Sequence, residues 1–350
     1  MESISHRQLE QAATERALPP YQCLELPEAG AEAQFHLASK VPSVHEKTAF
    51  VLAGGGALGA AHVGTLRALL EHGIVPDLVV GTSVGALNAA AFAQEPTLAG
   101  LDHLQEGWLH AGQAMMGRDR RIVELVHLAS KRAALYDSAS LRRVVSAMIE
   151  IKDLSDAHIP VGIVATAVDA DPERCYWSGP AVDLLMASCA IPAIFPPVTV
   201  NGVTLIDGGV SNNIPLSHAV RSGATTIFVL LCGSRLTAAE GFGSRPFDHI
   251  LAAFALSRQA RVARDFEEVP ANVAVAVLPA PAIGRLFYTD LSRSGEIIDR
   301  AYQLSSEVLD NLPTLWPVSI PVSSQQGRRR TWSLHLPLKH WQPQELSALP

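Results

Sequence analysis

The sequence predicts a three-layer α/β/α domain with a mainly parallel central sheet. Three observations carry the prediction: short apolar runs ending in glycine, amphipathic stretches between them, and a strand-helix alternation that begins at Thr48. Parallel strands covered by helices on both faces read as near-continuous apolar runs, and strand-helix alternation places such a sheet in the middle layer.

TAFVLAGGG, from Thr48, is the first apolar run and reads as a buried parallel strand. GAAHVGTLRALLEHG then puts Val63, Leu66, Leu69 and Leu70 on one helical face and stops at Gly73. DLVVGTSVG is a second strand and turn, and ALNAAAFAQ continues as a helix. From Pro96 to about Ile151 the pattern is helical and less apolar. IPVGIVATAVDA reads as a strand, and VTVNGVTLIDGG as a hairpin about Asn201-Gly202, a pair suited to the positive-φ positions of a tight turn. TTIFVLLC and NVAVAVLP are two further buried strands, with residues 246–269 as a helix between them. LSRSGEIIDRAYQLSSEVLDNL is a final amphipathic helix. Residues 1–46 are expected to be a partly irregular extension, 47–312 one large domain, and 313–350 a tail rich in Pro, Ser and Arg.

A chain of 350 residues with 48% hydrophobic side chains can bury a substantial core. Its formal net charge of −7, with no basic stripe or RNA-binding aromatic motif, excludes nucleic acid as the main partner. Contact with a membrane surface stays compatible, because burial of apolar side chains outweighs modest charge. Cys23, Cys175, Cys189 and Cys232 are scattered without paired spacing, so free thiols in a reducing compartment are expected. MESISHRQLEQAATERALPP has no apolar core of the secretory kind, and no apolar run reaches the length of a membrane span. The expectation is a cytoplasmic protein, peripheral at a membrane if attached to one. The sequence is silent on oligomeric state.

Gly81-Thr82-Ser83-Val84-Gly85 matches G-x-S-x-G at the end of an apolar strand. Such a turn carries the serine across a sharp bend and exposes its hydroxyl in front of a helix N-terminus, where developing negative charge is favoured. Five residues alone do not separate a nucleophile from a glycine-rich turn that contains serine. Upstream lies Gly54-Gly55-Gly56-Ala57-Leu58-Gly59, whose convergent amides suit an oxyanion. Gly54, Gly56 and Gly59 also satisfy G-x-G-x-x-G for a dinucleotide, but that fingerprint needs an acid at the far end of the second strand. Asp77 stands at the start of that strand, so the dinucleotide reading lacks its ribose anchor.

A serine nucleophile needs a base or an orienting partner. Among 13 histidines none stands out: His218 begins a helix after Ile214-Pro215-Leu216, and His335 and His340 lie in the tail. A Ser-His-Asp triad of the α/β-hydrolase order also fits poorly, because one βα unit precedes Ser83 rather than several. Carboxylates at strand ends are the other candidates, Asp169 after VGIVATAV and Asp207 after VTLI. Aspartate serves as a base if burial raises its pKa, or as an orienting acceptor through a short hydrogen bond. Both roles compete with a structural Asp-Gly-Gly turn. Trp108, Met115 and Met116 read as core or as a cap over the crevice. Arg118, Arg120, Arg121 and Arg328, Arg329, Arg330 read as solvated charge or as contacts to anionic head groups.

GGGALG, GTSVG and DGG, in that order, resemble the patatin-like phospholipase family, in particular a bacterial-type patatin domain protein. The likeness extends to LYDSASLRRV, MASCAIPAIFPPV and IDGGVSNNIP and covers roughly residues 48–312. It implies a catalytic dyad of Ser83 and Asp207, an oxyanion hole of Gly54, Gly55 and Gly56, and no required histidine. It also implies that residues 47–312 form a catalytic domain acting on a lipid ester, with no metal or organic cofactor. Leu58 departs from the family pattern, which often carries Arg or Lys there, and this puts affinity for an anionic head group in doubt. A Ser-His-Asp esterase, a dinucleotide-binding protein and an inactive lipid-binding scaffold are the alternatives.

Overall fold

A computed structural model of the chain describes residues 35–36, 47–116, 138–169, 171–192, 194–233, 258, 261–283 and 290–311. The strands are β1 (Phe35–His36), β2 (Thr48–Leu52), β3 (Leu78–Thr82), β4 (Val161–Ala167), β5 (Glu173–Tyr176), β6 (Val198–Val200), β7 (Val203–Asp207), β8 (Thr226–Leu230) and β9 (Ala274–Leu278). The helices are α1 (Ala61–Glu71), α2 (Val84–Gln94), α3 (Leu98–Met116), α4 (Ser138–Met148), α5 (Ala181–Ser188), α6 (Leu216–Arg221) and α7 (Ser294–Asp310). Residues 261–267 are also helical.

One sheet runs in the order β1-β9-β8-β2-β3-β4-β7-β6, with β5 added on β4. Its centre, β9-β8-β2-β3-β4, is parallel throughout. The mixed α/β fold and the mainly parallel sheet agree with the sequence reading. Alternate residues of β2 explain why positions 49–52 are all apolar: Ala49 and Val51 face one apolar cluster, Phe50 and Leu52 the other. The first cluster includes Leu216 and Ala219 of α6 and Val262, while the second includes residues of α1, α2, α5 and α7. Helices on both faces therefore bury both sides of the strand. Phe50 anchors the second cluster between Phe92 and Phe228, with ring centroids 6.3 and 5.9 Å away. Full burial of side chains of this size stabilises by about 1.5–3 kcal/mol each.

The Asn201-Gly202 hairpin forms as expected, with φ of 50° and 81° at its two turn residues. Three elements were not foreseen, the first being helix α5 (Ala181–Ser188). Phe35–His36 pairs antiparallel with β9, inside the stretch read as an irregular extension. Glu173–Tyr176 pairs antiparallel with β4. Its residues are all half-buried, so ERCY shows neither an apolar run nor a clean alternation. Most of the 246–269 helix, and the tail from 312, lie outside the described residues.

The position of β4 brings the later chemistry together. Ile163 to Thr166 pair with β5 along one edge. Along the other edge, Val164 pairs with Thr82 of β3, and the next residue, Ala165, pairs with Asp207 of β7. Strand β3 runs parallel to β4 and β7 runs antiparallel, so their C-terminal ends meet head to head. Ser83 and Asp207 face each other where they meet.

Candidate active site

Ser83 follows β3 with φ 57° and ψ −127°, a left-handed conformation that a non-glycine residue rarely adopts. Holding it there costs about 1–3 kcal/mol and requires surrounding bonds to over-determine the turn. They are present. Its carbonyl accepts from Ala86 and Leu87 N–H at 2.9 and 3.2 Å, starting α2. Its own N–H donates to Ser188 Oγ at 2.9 Å, and that hydroxyl donates to Val164 carbonyl at 2.6 Å. The flanking glycines leave room for the bend, since a Cβ on Gly81 would strike Gly85 carbonyl and one on Gly85 would strike Leu52 carbonyl.

Asp207 is fixed on every side. Its N–H donates to Ala190 carbonyl at 3.0 Å, and its carbonyl accepts from Thr166 Oγ1 at 2.9 Å. Oδ1 accepts the Gly209 N–H at 2.7 Å, and Oδ2 accepts the Ser83 hydroxyl at 2.6 Å. The two side chains are nearly enclosed, with Ser83 6% and Asp207 3% exposed. Burial pushes the Asp207 carboxyl above its ordinary pKa, although the Ser83 hydroxyl, the Arg258 charge and the Gly209 N–H each favour the carboxylate. A raised pKa makes a carboxylate a stronger base. Beside it the Cys189 thiol is pushed well above its usual range by burial, so it stays protonated.

The glycine loop passes next to this pair. A Cβ on Gly54 would lie 3.3 Å from both Ser83 Cβ and the Thr82 carbonyl oxygen, so the loop runs close beside the Ser83 turn. Gly54 N–H donates to Asn213 carbonyl at 3.0 Å, while Asn213 Nδ2 donates to Gly54 carbonyl at 3.2 Å. That reciprocal clasp engages the amide of Gly54, one of the three expected oxyanion donors, with Asn213. Among the described residues, the N–H groups of Gly55 and Gly56 form no hydrogen bond. Gly56, at φ 58°, turns the chain into a short 3-10 helix over Gly56–Ala60.

Support for the loop comes from beneath. Asn88 Nδ2 donates to Gly59 carbonyl at 2.8 Å, and Asn88 Oδ1 accepts the Trp108 indole N–H at 3.0 Å. Trp108 is therefore buried core under the loop, not a cap above it. His62 Nε2 lies 3.3 Å from Cys232 Sγ, and burial drops the imidazole pKa to about 4, leaving it neutral.

Other candidates lie apart from the Ser83–Asp207 pair. Asp169 is exposed beyond β4. His218 Nε2 sits 2.8 Å from Glu173 Oε1, and no histidine among the described residues hydrogen-bonds Ser83 or Asp207. Asp77 accepts the Thr48 N–H at 2.7 Å at the opposite end of the strands, so it offers nothing to a ribose beside the glycine loop. The side chains of Met115 and Met116, together with Arg118, Arg120, Arg121, Arg328, Arg329, Arg330, His335 and His340, lie outside the described residues. Sequence reasoning missed Ser188, Asn213, Thr166 and Arg258, which hold the site together. Asn213 and Ser188 had a local signal, their places in the IDGGVSNNIP and MASCAIPAIFPPV stretches.

The family model for patatin-like phospholipase matches residues 50–220. A patatin-like phospholipase domain-containing protein of Caenorhabditis elegans is 31% identical over 186 residues, 53% of this chain and 13% of that protein. A lysophospholipase of Mycosarcoma maydis is 29% identical over 198 residues, 53% of this chain and 10% of its own length. The chain thus spans a small fraction of the curated relatives it matches. These relatives are animal and fungal, so they give the bacterial-type qualifier no support. Among solved structures, human GIVD cytosolic phospholipase A2 aligns with TM-score 0.43 and 13% identity, covering 77% of this chain and 59% of that one. The segment that holds the glycine loop, the Ser83 turn and Asp207, residues 50–220, is a patatin-like phospholipase domain.

Proposed function

We propose that the domain is a serine lipid acyl hydrolase that cleaves carboxylic ester bonds of phospholipids or related lipids with a Ser83–Asp207 dyad. The observation that carries the reading is the 2.6 Å hydrogen bond from Ser83 Oγ to a buried Asp207 carboxylate. A nucleophile needs a partner that takes its proton, and this one is already in hydrogen-bond reach.

In the proposed reaction Ser83 Oγ attacks the ester carbonyl carbon while its proton passes to Asp207 Oδ2. The carbonyl π pair moves to oxygen, and the N–H groups of Gly55 and Gly56 stabilise the resulting oxyanion. Collapse expels the alcohol, which takes the proton from Asp207, and leaves an acyl-serine. Water then loses a proton to Asp207, attacks the acyl carbon, and releases the fatty acid with Ser83 reprotonated. The strained turn keeps the hydroxyl aimed, so orientation is set before substrate arrives. Names of the relatives point toward phospholipids and lysophospholipids as the esters. Peripheral contact with the lipid surface belongs to the same proposal, because such substrates reside there.

A fluorophosphonate probe is expected to label Ser83 in the wild type and to leave Ser83→Ala unlabelled. Asp207→Asn is expected to lose about 10²–10⁴-fold in kcat with the fold retained, the usual range for a lost acid–base group. Turnover of phospholipids, lysophospholipids, triacylglycerols and short esters identifies the substrate. Full activity in Asp207→Asn, or a loss on replacing one histidine, would sink the dyad.

A further inference from the structure

Arg258 lies 45 positions beyond Asn213 in sequence, and no motif marks it. In the fold its Nη1 donates to Asn213 Oδ1 at 3.1 Å. Asn213 is the residue that clasps Gly54 from both sides, and Gly54 abuts Ser83 Cβ. On the same side stands the Asp207–Gly209 turn: a Cβ on Gly209 would lie 2.9 Å from Asp207 Oδ1 and 3.6 Å from Arg258 Cζ. One guanidinium thus touches the clamp on the glycine loop and borders the carboxylate. Leu58 supplies no charge to the loop, and its side chain packs against Gly233.

We propose that Arg258 is a positioning residue of the active site, bracing Asn213 against the glycine loop and setting a positive charge beside the Asp207 turn. The inference rests on the dyad reading above. Its physical content has two parts. The bond to Asn213 Oδ1 fixes the amide in the orientation that donates Nδ2 to Gly54, and so holds the loop at the distance the oxyanion requires. The charge favours the carboxylate form of Asp207 against the burial that opposes it. Among the described residues, the titratable or charged groups that face Asp207 are Ser83 from the β3–α2 turn, Cys189 after α5, and Arg258. Ser83 and the buried Cys189 carry no charge near neutral pH, so Arg258 is the group whose charge sets the acidic limb.

The test compares Arg258→Gln and Arg258→Lys with wild type on a neutral short-chain ester and on a lysophospholipid, from pH 4 to pH 9. Asp207 must be deprotonated to accept the proton, so activity rises with pH through its pKa. Removing a nearby cation raises that pKa. Arg258→Gln is expected to lose about 10–10²-fold in kcat on both substrates, as loss of oriented loop donors does. Its acidic limb should move upward by about one to two pH units, the size of one charge a few ångströms away at intermediate dielectric. Arg258→Lys should recover the limb and only part of kcat, because an ammonium keeps the charge without the planar fork. The pH dependence of fluorophosphonate labelling at Ser83 gives the same limb without turnover. Should Arg258→Gln not fold, Arg258→Lys with an unshifted limb and reduced kcat supports the inference, and Arg258→Lys with wild-type kcat refutes it. An unmoved limb in folded Arg258→Gln refutes it. A loss confined to KM on the lysophospholipid also refutes it, in favour of head-group recognition. Failure of the dyad itself shows differently, as activity that survives Ser83→Ala or Asp207→Asn.

Discussion

Replacing Gly55 by alanine separates space from backbone freedom at the glycine loop. Gly55 has φ −177°, outside the left-handed region that favours glycine. Space is the obstacle. The added Cβ would lie 2.7 Å from Cys232 Sγ and closer still to Cys232 Cβ, against an ordinary carbon contact of about 3.5–4.0 Å. Cys232 has little room to retreat, since its thiol donates to Ala53 carbonyl at 3.1 Å and meets His62. The loop must therefore move by about an ångström, the contact deficit. If Gly55 is an oxyanion donor as proposed, displacement of that size costs about 10²-fold in rate. Overpacking of this kind also destabilises by about 1–3 kcal/mol, which lowers Tm by several degrees. The assay is kcat on a short ester with the melting temperature of the same sample. Adding Cys232→Gly to Gly55→Ala removes the blocking atoms and should restore at least about tenfold in kcat, if loop position is the cause. A folded Gly55→Ala enzyme within threefold of wild-type kcat would refute the reasoning that the Gly55 and Gly56 amides hold the oxyanion.

Ser188→Ala should leave the Ser83 N–H and the Val164 carbonyl without their shared partner, costing about 2 kcal/mol by denaturant titration, with a fall in kcat as the strained turn relaxes. Asp207→Asn, besides its loss of activity, should raise stability at neutral pH. Burial holds the Asp207 pKa above its unfolded value, so the carboxyl favours folding when protonated, and that contribution is lost as pH rises through the folded pKa. Asparagine removes the charge, so the mutant's advantage should be present at pH 7 and vanish below about pH 4. Glu173→Gln should act in the opposite sense. Burial opposes the Glu173 carboxylate, but His218, Asn212 and Arg261 outweigh it and hold the pKa at about 2. Its stabilisation is complete above the unfolded pKa near 4.3 and fades as pH falls toward 2, so Glu173→Gln should cost about 2–3 kcal/mol at pH 7 and little at pH 2.

Glu173 also shows why part of the site is hidden in the sequence. Its carboxylate accepts from Asn212 Nδ2 at 3.0 Å and pairs with Arg261 at 2.8 Å, tying β5, the Asp207 loop and the 261–267 helix together. Each of those partners is ordinary in its own stretch of chain. Strand β5 is half-buried along its length and has no periodicity to mark it. Ser188 lies 105 positions from the amide it receives, at the end of helix α5, which the sequence reading did not foresee. Arg258 resembles any helical arginine until the fold brings Asn213 beside it.

What the amino-acid sequence determined by itself was local. Apolar runs and helical periods laid down β2-α1-β3-α2, and Asn201-Gly202 its hairpin, because such elements depend on neighbours a few residues away. The G-x-S-x-G turn and the Asp-Gly-Gly turn marked Ser83 and Asp207 as chemical candidates in the same way. Tertiary structure decided that the two face each other, 124 positions apart, because β3 and β7 meet end to end on one edge of β4. It decided too that the Gly54 amide donates to the Asn213 carbonyl, while the Gly55 and Gly56 amides form no hydrogen bond among the described residues. Strand pairing across the sheet and burial set those facts, and both depend on the whole folded chain rather than on any segment of it.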